Sequence, residues 1–170
     1  MSYDNRRRCH QDLFDLGYQV GSGDIVGLPG QTADHLVDDL LDFATWPYDM
    51  ISIGPLVPAK GAPLEGAGLP DPDLVLRMIA LTRILAPKAH LPAATALCSL
   101  GPNLRARTFK AGVNVWMPNF TPGTDAREYA IYDRAACRDR QSCAACLAEV
   151  IRSNGLVVST DKGHGIRRAR

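Results

Sequence analysis

Segments of helical period alternate with short apolar segments along most of this chain, and that alternation limits the available folds more than any other feature. The spacing predicts a helix over Asn5 to Leu16, with Cys9, Leu13 and Leu16 on one stripe and Gly17 as its stop. A strand follows over Gln19 to Val26, interrupted by glycines. Thr32 is placed to cap a second helix whose stripe is Leu36, Val37, Leu40 and Leu41. Met50 to Gly54 reads as a buried strand, and residues 55–70 as a long loop rich in Pro and Gly. Asp71 with Pro72 opens a third helix that carries Leu74, Val75, Met78, Ile79 and Leu85. Leu91 to Leu97 is the next expected strand, Leu104 to Lys110 a short helix and Val113 to Met117 a fourth strand. Ala144 to Asn154 is a last helix, and the residues from Gly155 onward form a tail.

Strands and helices in this order imply an α/β protein built from βαβ units around a parallel sheet. A doubly wound sheet and a (β/α) barrel both satisfy that pattern. Each expected strand runs into a polar loop bearing Gly or Pro, and barrels build their sites from such loops, so part of a TIM-type barrel is the preferred reading. About four βα units make half of one. The expected division is a half-barrel over residues 1–125 and a cysteine-bearing C-terminal extension over residues 126–170.

Composition narrows the function. The 170 residues are 46% hydrophobic and 22% charged, enough for one core, and the net charge of +1 does not suit a general nucleic-acid binder. Arg6–Arg7–Arg8 and Arg167–Arg168 read as short solvated clusters. There is no apolar run of the roughly 20 residues that crosses a bilayer, and the first residues lack the apolar core of a secretory signal. The expectation is a cytoplasmic chain with neither nucleic-acid nor membrane partners. Cys9 and Cys98 fall in apolar patterns and are expected to be buried. Cys137, Cys143 and Cys146 cluster in a C-x5-C-x2-C spacing, which in a reducing compartment points to a metal site more than to disulfides.

Gly23-Asp24-Ile25-Val26-Gly27-Leu28-Pro29-Gly30-Gln31-Thr32 runs from strand into helix. A phosphate-cradling loop needs a lysine directly before the hydroxyl residue. Gln31 stands there instead, and Pro29 lacks an N–H, so no nucleoside triphosphate is expected. The segment reads either as a tight turn or as a strand edge stripped of side chains against which a flat ring can lie.

Gly23-Asp24-Ile25-Val26-Gly27 resembles the glycine–isoleucine–glycine signature on the fifth strand of radical-SAM barrels, where the adenine of S-adenosylmethionine (SAM) packs. The segments 16–23, 27–32 and 53–55 are similar to the biotin-synthase-like group. Met78 to Arg83, Leu91-Pro92-Ala93 and Val115 to Asn119 agree most closely with its E-type (HydE-like) maturases of FeFe-hydrogenase. One GxIxG match is weak, but these blocks occur in the family's order from Asn5 to about Gly155.

The resemblance implies SAM and a 4Fe–4S cluster as cofactors of the full-length family. It places Arg6 where an arginine pairs with the SAM carboxylate, a task that suits a guanidinium fork. Gly23, Ile25 and Gly27 would meet the adenine, and Met117 would lie against SAM. Thr95 matches one of two adjacent threonines that line the substrate cavity, the other being Ala94 here; Asn119, after Pro118, reads either as a residue that orients a ligand or as the start of a turn. Cys137, Cys143 and Cys146 match cysteines that hold an accessory iron–sulfur cluster such as 2Fe–2S, at a shorter spacing; zinc also suits such thiolates. His164 is a conceivable fourth ligand. The unpaired strand edges of a half-barrel imply self-association or a complementary N-terminal half-barrel, and the resemblance implies other hydrogenase maturation proteins as partners.

The C-x-x-x-C-x-x-C spacing that holds the SAM-cleaving cluster does not occur in this sequence. Whether the chain is an enzyme is therefore left open. The expected reading is one half of a maturase barrel, inactive alone. The alternatives are a non-catalytic iron–sulfur, metal- or partner-binding half-barrel, and a piece of another biotin-synthase-like enzyme such as the methylornithine-forming one.

Overall fold

In the computed structural model, residues 2–101, 104–118 and 143–165 are described, with the backbone alone for 143–146. The elements are helix α1 (Tyr3–Asp15), strand β1 (Gly21–Val26), α2 (Ala33–Thr45), β2 (Met50–Pro55) and α3 (Pro72–Leu85), then a 3-10 turn (Thr95–Ser99), α4 (Leu104–Arg107) and α5 (Cys143–Ser153). The expected domain boundary near residue 125 lies outside the described residues.

Local chemistry starts α1, α2 and α3. Ser2 caps α1, its hydroxyl accepting from the Asn5 N–H. Thr32 caps α2 by accepting from the His35 N–H, while His35 Nδ1 accepts from the Thr32 N–H, so both early donors are satisfied. The Asp71 carboxylate takes the Asp73 N–H at 2.9 Å, and Pro72 supplies a preset first turn to α3.

β1 and β2 pair in parallel, Gly21 opposite Met50 through Val26 opposite Pro55. The third and fourth expected strands are present only as single bridges, Met50 with His90 and Pro92 with Val115. Two local causes end them. Pro92 has no N–H to donate, and from Thr95 the chain winds into the 3-10 turn instead of continuing extended. The Asn114 side chain also replaces a ladder rung, its Oδ1 accepting the Leu91 N–H at 2.8 Å. The spatial order β1, β2, His90–Pro92, Val115 follows the chain.

The packing of α2 and α3 falls on one face of this sheet. Val26, Ile51 and Ile53 join Leu36, Leu40 and Phe43 of α2 and Val75, Met78 and Ile79 of α3 in one core. The other face carries Gly21, Gly23 and Ile25 of β1 with Met50, Ser52 and Gly54 of β2, and is exposed to half-buried. Strands in chain order with helices on one side form a sector of a closed barrel. A doubly wound sheet reverses its strand order and carries helices on both faces.

Two expected stripes are displaced. Cys9 and Leu16 of the first helix are exposed, and Cys98 is only half-buried. α1 instead packs through Arg7, His10, Leu13 and Phe14: Arg7 ion-pairs with Asp42 and lies 3.8 Å over the Trp46 ring, and Phe14 meets Trp46 and Tyr48. On α2 the core stripe is Leu36, Leu40 and Phe43; Val37 and Leu41, one residue further round, face outward.

Two side chains fasten the far segments. Arg83 donates to the carbonyls of Pro87, Ala89 and Gly112 and to Asn114 Oδ1, tying α3 to both bridges. The expected tail returns to the start of β1, where Gln19 Oε1 accepts the Gly165 N–H and its Nε2 lies 2.8 Å from His164 Nδ1.

Candidate functional site

In a parallel sheet the loops after the strands gather at one end, which makes residues 26–31, 56–71 and 93–95 neighbours at one mouth. Two glycines show how tightly this end is built. Gly27 holds φ of +97°, and a Cβ there would stand 2.6 Å from the Pro70 ring, so the long loop closes directly over the glycine turn. A Cβ on Gly23 would stand 2.2 Å from the Ser52 carbonyl oxygen. Close backbone packing thus requires glycine at both positions, and its result is a low, bare surface on the uncovered face.

The Gln31 side chain completes the turn. Its Oε1 accepts the Gly27 N–H at 2.7 Å and its Nε2 donates to the Ile25 carbonyl at 3.1 Å. Behind it, on the helix face, burial and then the nearby Asp39 carboxylate push the Asp24 carboxyl up to about 6. Burial and the carboxylates of Asp42 and Asp38 raise Asp39 in turn. Asp24 Oδ2 is buried without a hydrogen-bond partner.

At the other bridge Arg105 organises the mouth. It donates to the Ala93 carbonyl, reaches the Met117 carbonyl at 3.5 Å and stacks 4.3 Å over the Trp116 ring. Trp116 packs on Phe109 at 5.1 Å, its Nε1 buried without a partner. Ala94 lies against Gly54, 3.3 Å from where a Cβ would be.

The expected site residues are distributed as follows. Gly23 and Ile25 share the uncovered face, Ile25 half exposed at 50%, and Gly27 is the turn residue directly after that strand. Thr95 is exposed and opens the 3-10 turn instead of lying in a strand, and Met117 is 57% exposed beyond the Val115 bridge. Arg105 joins these two segments, a connector that sequence reasoning missed because only its contacts reveal it. Arg6 is exposed on α1, while its neighbour Arg7 is the arginine tied into the fold. Asn119 and Cys137 lie outside the described residues. Cys143 and Cys146 stand three residues apart at the start of α5. No group of three or more metal-ligating side chains occurs among the described residues. His164 makes its contact to Gln19 at the opposite end of β1 from the mouth.

Glycine at 21, 23 and 54 keeps part of this face free of side chains, which suits a flat ring, with Ile25, Met50 and Ser52 beside it. The thiolates for a SAM-cleaving 4Fe–4S cluster are not part of that face.

A one-sided parallel sheet in chain order, with its loops gathered over a glycine-lined strand end, defines a portion of a (β/α) barrel. The sequence pattern of the Biotin and Thiamin Synthesis associated domain matches residues 52–147, more than half of the chain, and the chain belongs to that family. In sequence it corresponds to the C-terminal portion of a HydE-like radical-SAM protein. It is 41% identical over 164 residues to the [FeFe] hydrogenase maturase subunit HydE of Thermotoga maritima, covering 95% of this chain and 47% of that protein. It is 34% identical over 115 residues to the biotin synthase of Brucella anthropi, covering 66% of this chain and 34% of that enzyme. The chain thus spans less than half the length of these relatives. Among solved structures, methylornithine synthase (PylB), a radical-SAM TIM-barrel enzyme, superposes with a TM-score of 0.71 at 24% identity, over 94% of this chain and 46% of its own. That likeness supports the fold. No helix among the described residues is long and apolar enough to cross a membrane.

Proposed function

We propose that this chain forms the C-terminal half of a SAM-dependent maturase barrel that acts in assembly of the FeFe-hydrogenase active-site cluster. The observation that carries the reading is the bare, uncovered β1–β2 face at Gly23, Ile25 and Gly54, in a chain 41% identical to HydE. On this reading Gly23, Ile25 and Gly27 receive the adenine, Met117 packs against SAM and Arg6 pairs with its carboxylate. Thr95 and Asn119 face the substrate. SAM bound to a reduced 4Fe–4S cluster supplies radical chemistry. That cluster is held by a complementary half carrying C-x-x-x-C-x-x-C, so this chain binds and orients but does not cleave SAM by itself. The setting is the reducing cytoplasm.

The test is production of 5′-deoxyadenosine under anaerobic reduction. The iron-reconstituted chain alone is expected to give no more than a no-protein control. Mixed with the N-terminal portion of the Thermotoga maritima relative, which precedes the matched segment, it is expected to give 5′-deoxyadenosine above that portion alone. Product from this chain alone overturns the division of labour; no product from the reassembled pair, once a complex is shown, overturns the SAM reading.

Cys137, Cys143 and Cys146 are proposed to hold an accessory iron–sulfur cluster, supported by the start of α5 placing two of them three residues apart. Anaerobic reconstitution should give charge-transfer absorbance that Cys143→Ser and Cys146→Ser each abolish. Unchanged absorbance in both variants removes the cysteines from the assignment.

A further inference from the structure

Backbone groups alternate direction along a strand, and β1 uses one set against β2. The Val20 carbonyl accepts from Asp49, and the Val26 carbonyl accepts from Leu56 at 2.8 Å. Residues 20, 22, 24 and 26 therefore point toward β2, and Gly21, Gly23 and Ile25 point to the outer edge. No strand pairs with that edge among the described residues. The Gln31 amide sits at its top end, donating to the Ile25 carbonyl and accepting from the Gly27 N–H. A residue of a parallel neighbour contacts the carbonyl of one residue and the N–H of the residue two further on. A residue of an antiparallel neighbour contacts both groups of the same residue. Gln31 reproduces the parallel pattern.

We infer that the Gln31 side chain is the last rung of the outer ladder of β1, standing in for one residue of a parallel neighbour, so that a strand docking there pairs along Gly21 to Ile25 and ends below the Ile25 carbonyl. The docking strand belongs to the complementary half-barrel, so this inference rests on the reading under Proposed function. Three observations favour that occupant. The preset pattern is parallel, whereas two copies of β1 related by a two-fold axis would meet antiparallel. Gly21 and Gly23 leave the approach free of side chains. The structural relative with the same fold is about twice as long as this chain. Stopping the ladder at Gln31 keeps the neighbour clear of the glycine turn at the mouth. Asn114 provides a second case within the chain of a side-chain amide serving as a strand rung.

Amide hydrogen exchange followed by NMR tests both parts. In the free chain the Gly27 N–H should be protected, and Gln31→Leu should speed its exchange about tenfold or more while the Leu56 and Ile51 amides stay unchanged. Gln31→Glu, which keeps the acceptor, should retain protection of Gly27 if the leucine variant folds poorly. Unaltered Gly27 exchange in Gln31→Leu, with the fold intact, overturns the inference. Adding the N-terminal portion of the Thermotoga maritima relative should protect Gly23 and Ile25 and leave the Gln31 side-chain amide in its slow-exchanging state. Release of that amide on binding means the partner strand displaces Gln31 and overturns the inference. Concentration-dependent protection of Gly23 and Ile25 in the free chain assigns the edge to a second copy, which also overturns it. If the added portion does not bind at all, the half-barrel reading falls, while the free-chain exchange still decides the role of Gln31.

Discussion

Asp24 is the residue whose chemistry is most altered by its place in the fold. Its folded-state value of about 6 lies above the ordinary carboxylate range because of burial and then Asp39. Between pH 4 and 6 the folded chain therefore holds a proton that the unfolded chain has released. Stability contributed by the protonated group is complete below about pH 4 and is lost as pH rises through about 6. Asp24→Asn should flatten that decline and stabilise the chain at pH 7–8. With partial solvent screening the gain at pH 7–8 is about 1 kcal/mol, or about 2–4 °C in thermal melts, and it should vanish below about pH 4, where Asp24 is already neutral. Arg83 is the opposite case, a charged group whose partners are backbone carbonyls from two segments. Arg83→Met should cost about 2–4 kcal/mol in denaturant unfolding, because those carbonyls lose charge-assisted donors. Neither role could be read from sequence, since Asp24 looks like an ordinary strand-face polar residue and Arg83 like a solvated helix charge.

Elements were legible where their signals are local. The caps Thr32 and Asp71 and the stop at Gly17 rest on hydrogen bonds within a few residues, and the structure shows each of these helices. Thr32→Ala should remove about 1 kcal/mol, measurable by urea unfolding, by exposing the first amides of α2. β1 and β2 were equally plain, since a buried run such as Ile51-Ser52-Ile53 has few other uses. Ile53→Ala should cost about 2–5 kcal/mol, because a fully buried side chain shared by sheet and helices leaves a cavity. The later strands were not legible in extent. Their apolar runs satisfy strand propensity, but Pro92, the Asn114 side chain and the 3-10 turn at Thr95 determine how much ladder forms. Helix faces also escaped the pattern. Cys9, Val37 and Leu41 sit at acceptable periods, and only the position of Trp46, Tyr48 and the sheet shows which stripe is covered.

At the scale of the whole molecule, one sheet face is packed by helices α2 and α3, and among the described residues the other face is uncovered. An uncovered face with exposed Ile25 and Met50 favours face-to-face association that leaves the β1 edge free. In sedimentation velocity the chain should associate with rising concentration, and the N-terminal portion of the Thermotoga maritima relative should convert it to a discrete complex. A monodisperse monomer across the concentration range, melting cooperatively, would count against a half-barrel. The sequence by itself determined the α/β alternation, the starts of α2 and α3, the glycine turn from Gly23 to Gln31 and the kinship with radical-SAM barrels, because each resides in neighbouring residues or in the order of short blocks. Only the tertiary structure decided that α2 and α3 cover one face, that Pro70 closes on Gly27, that Arg105 joins Ala93 to Met117 and that Gln31 occupies the edge of β1. These depend on contacts between residues distant in sequence, or on side-chain direction, which no local pattern encodes.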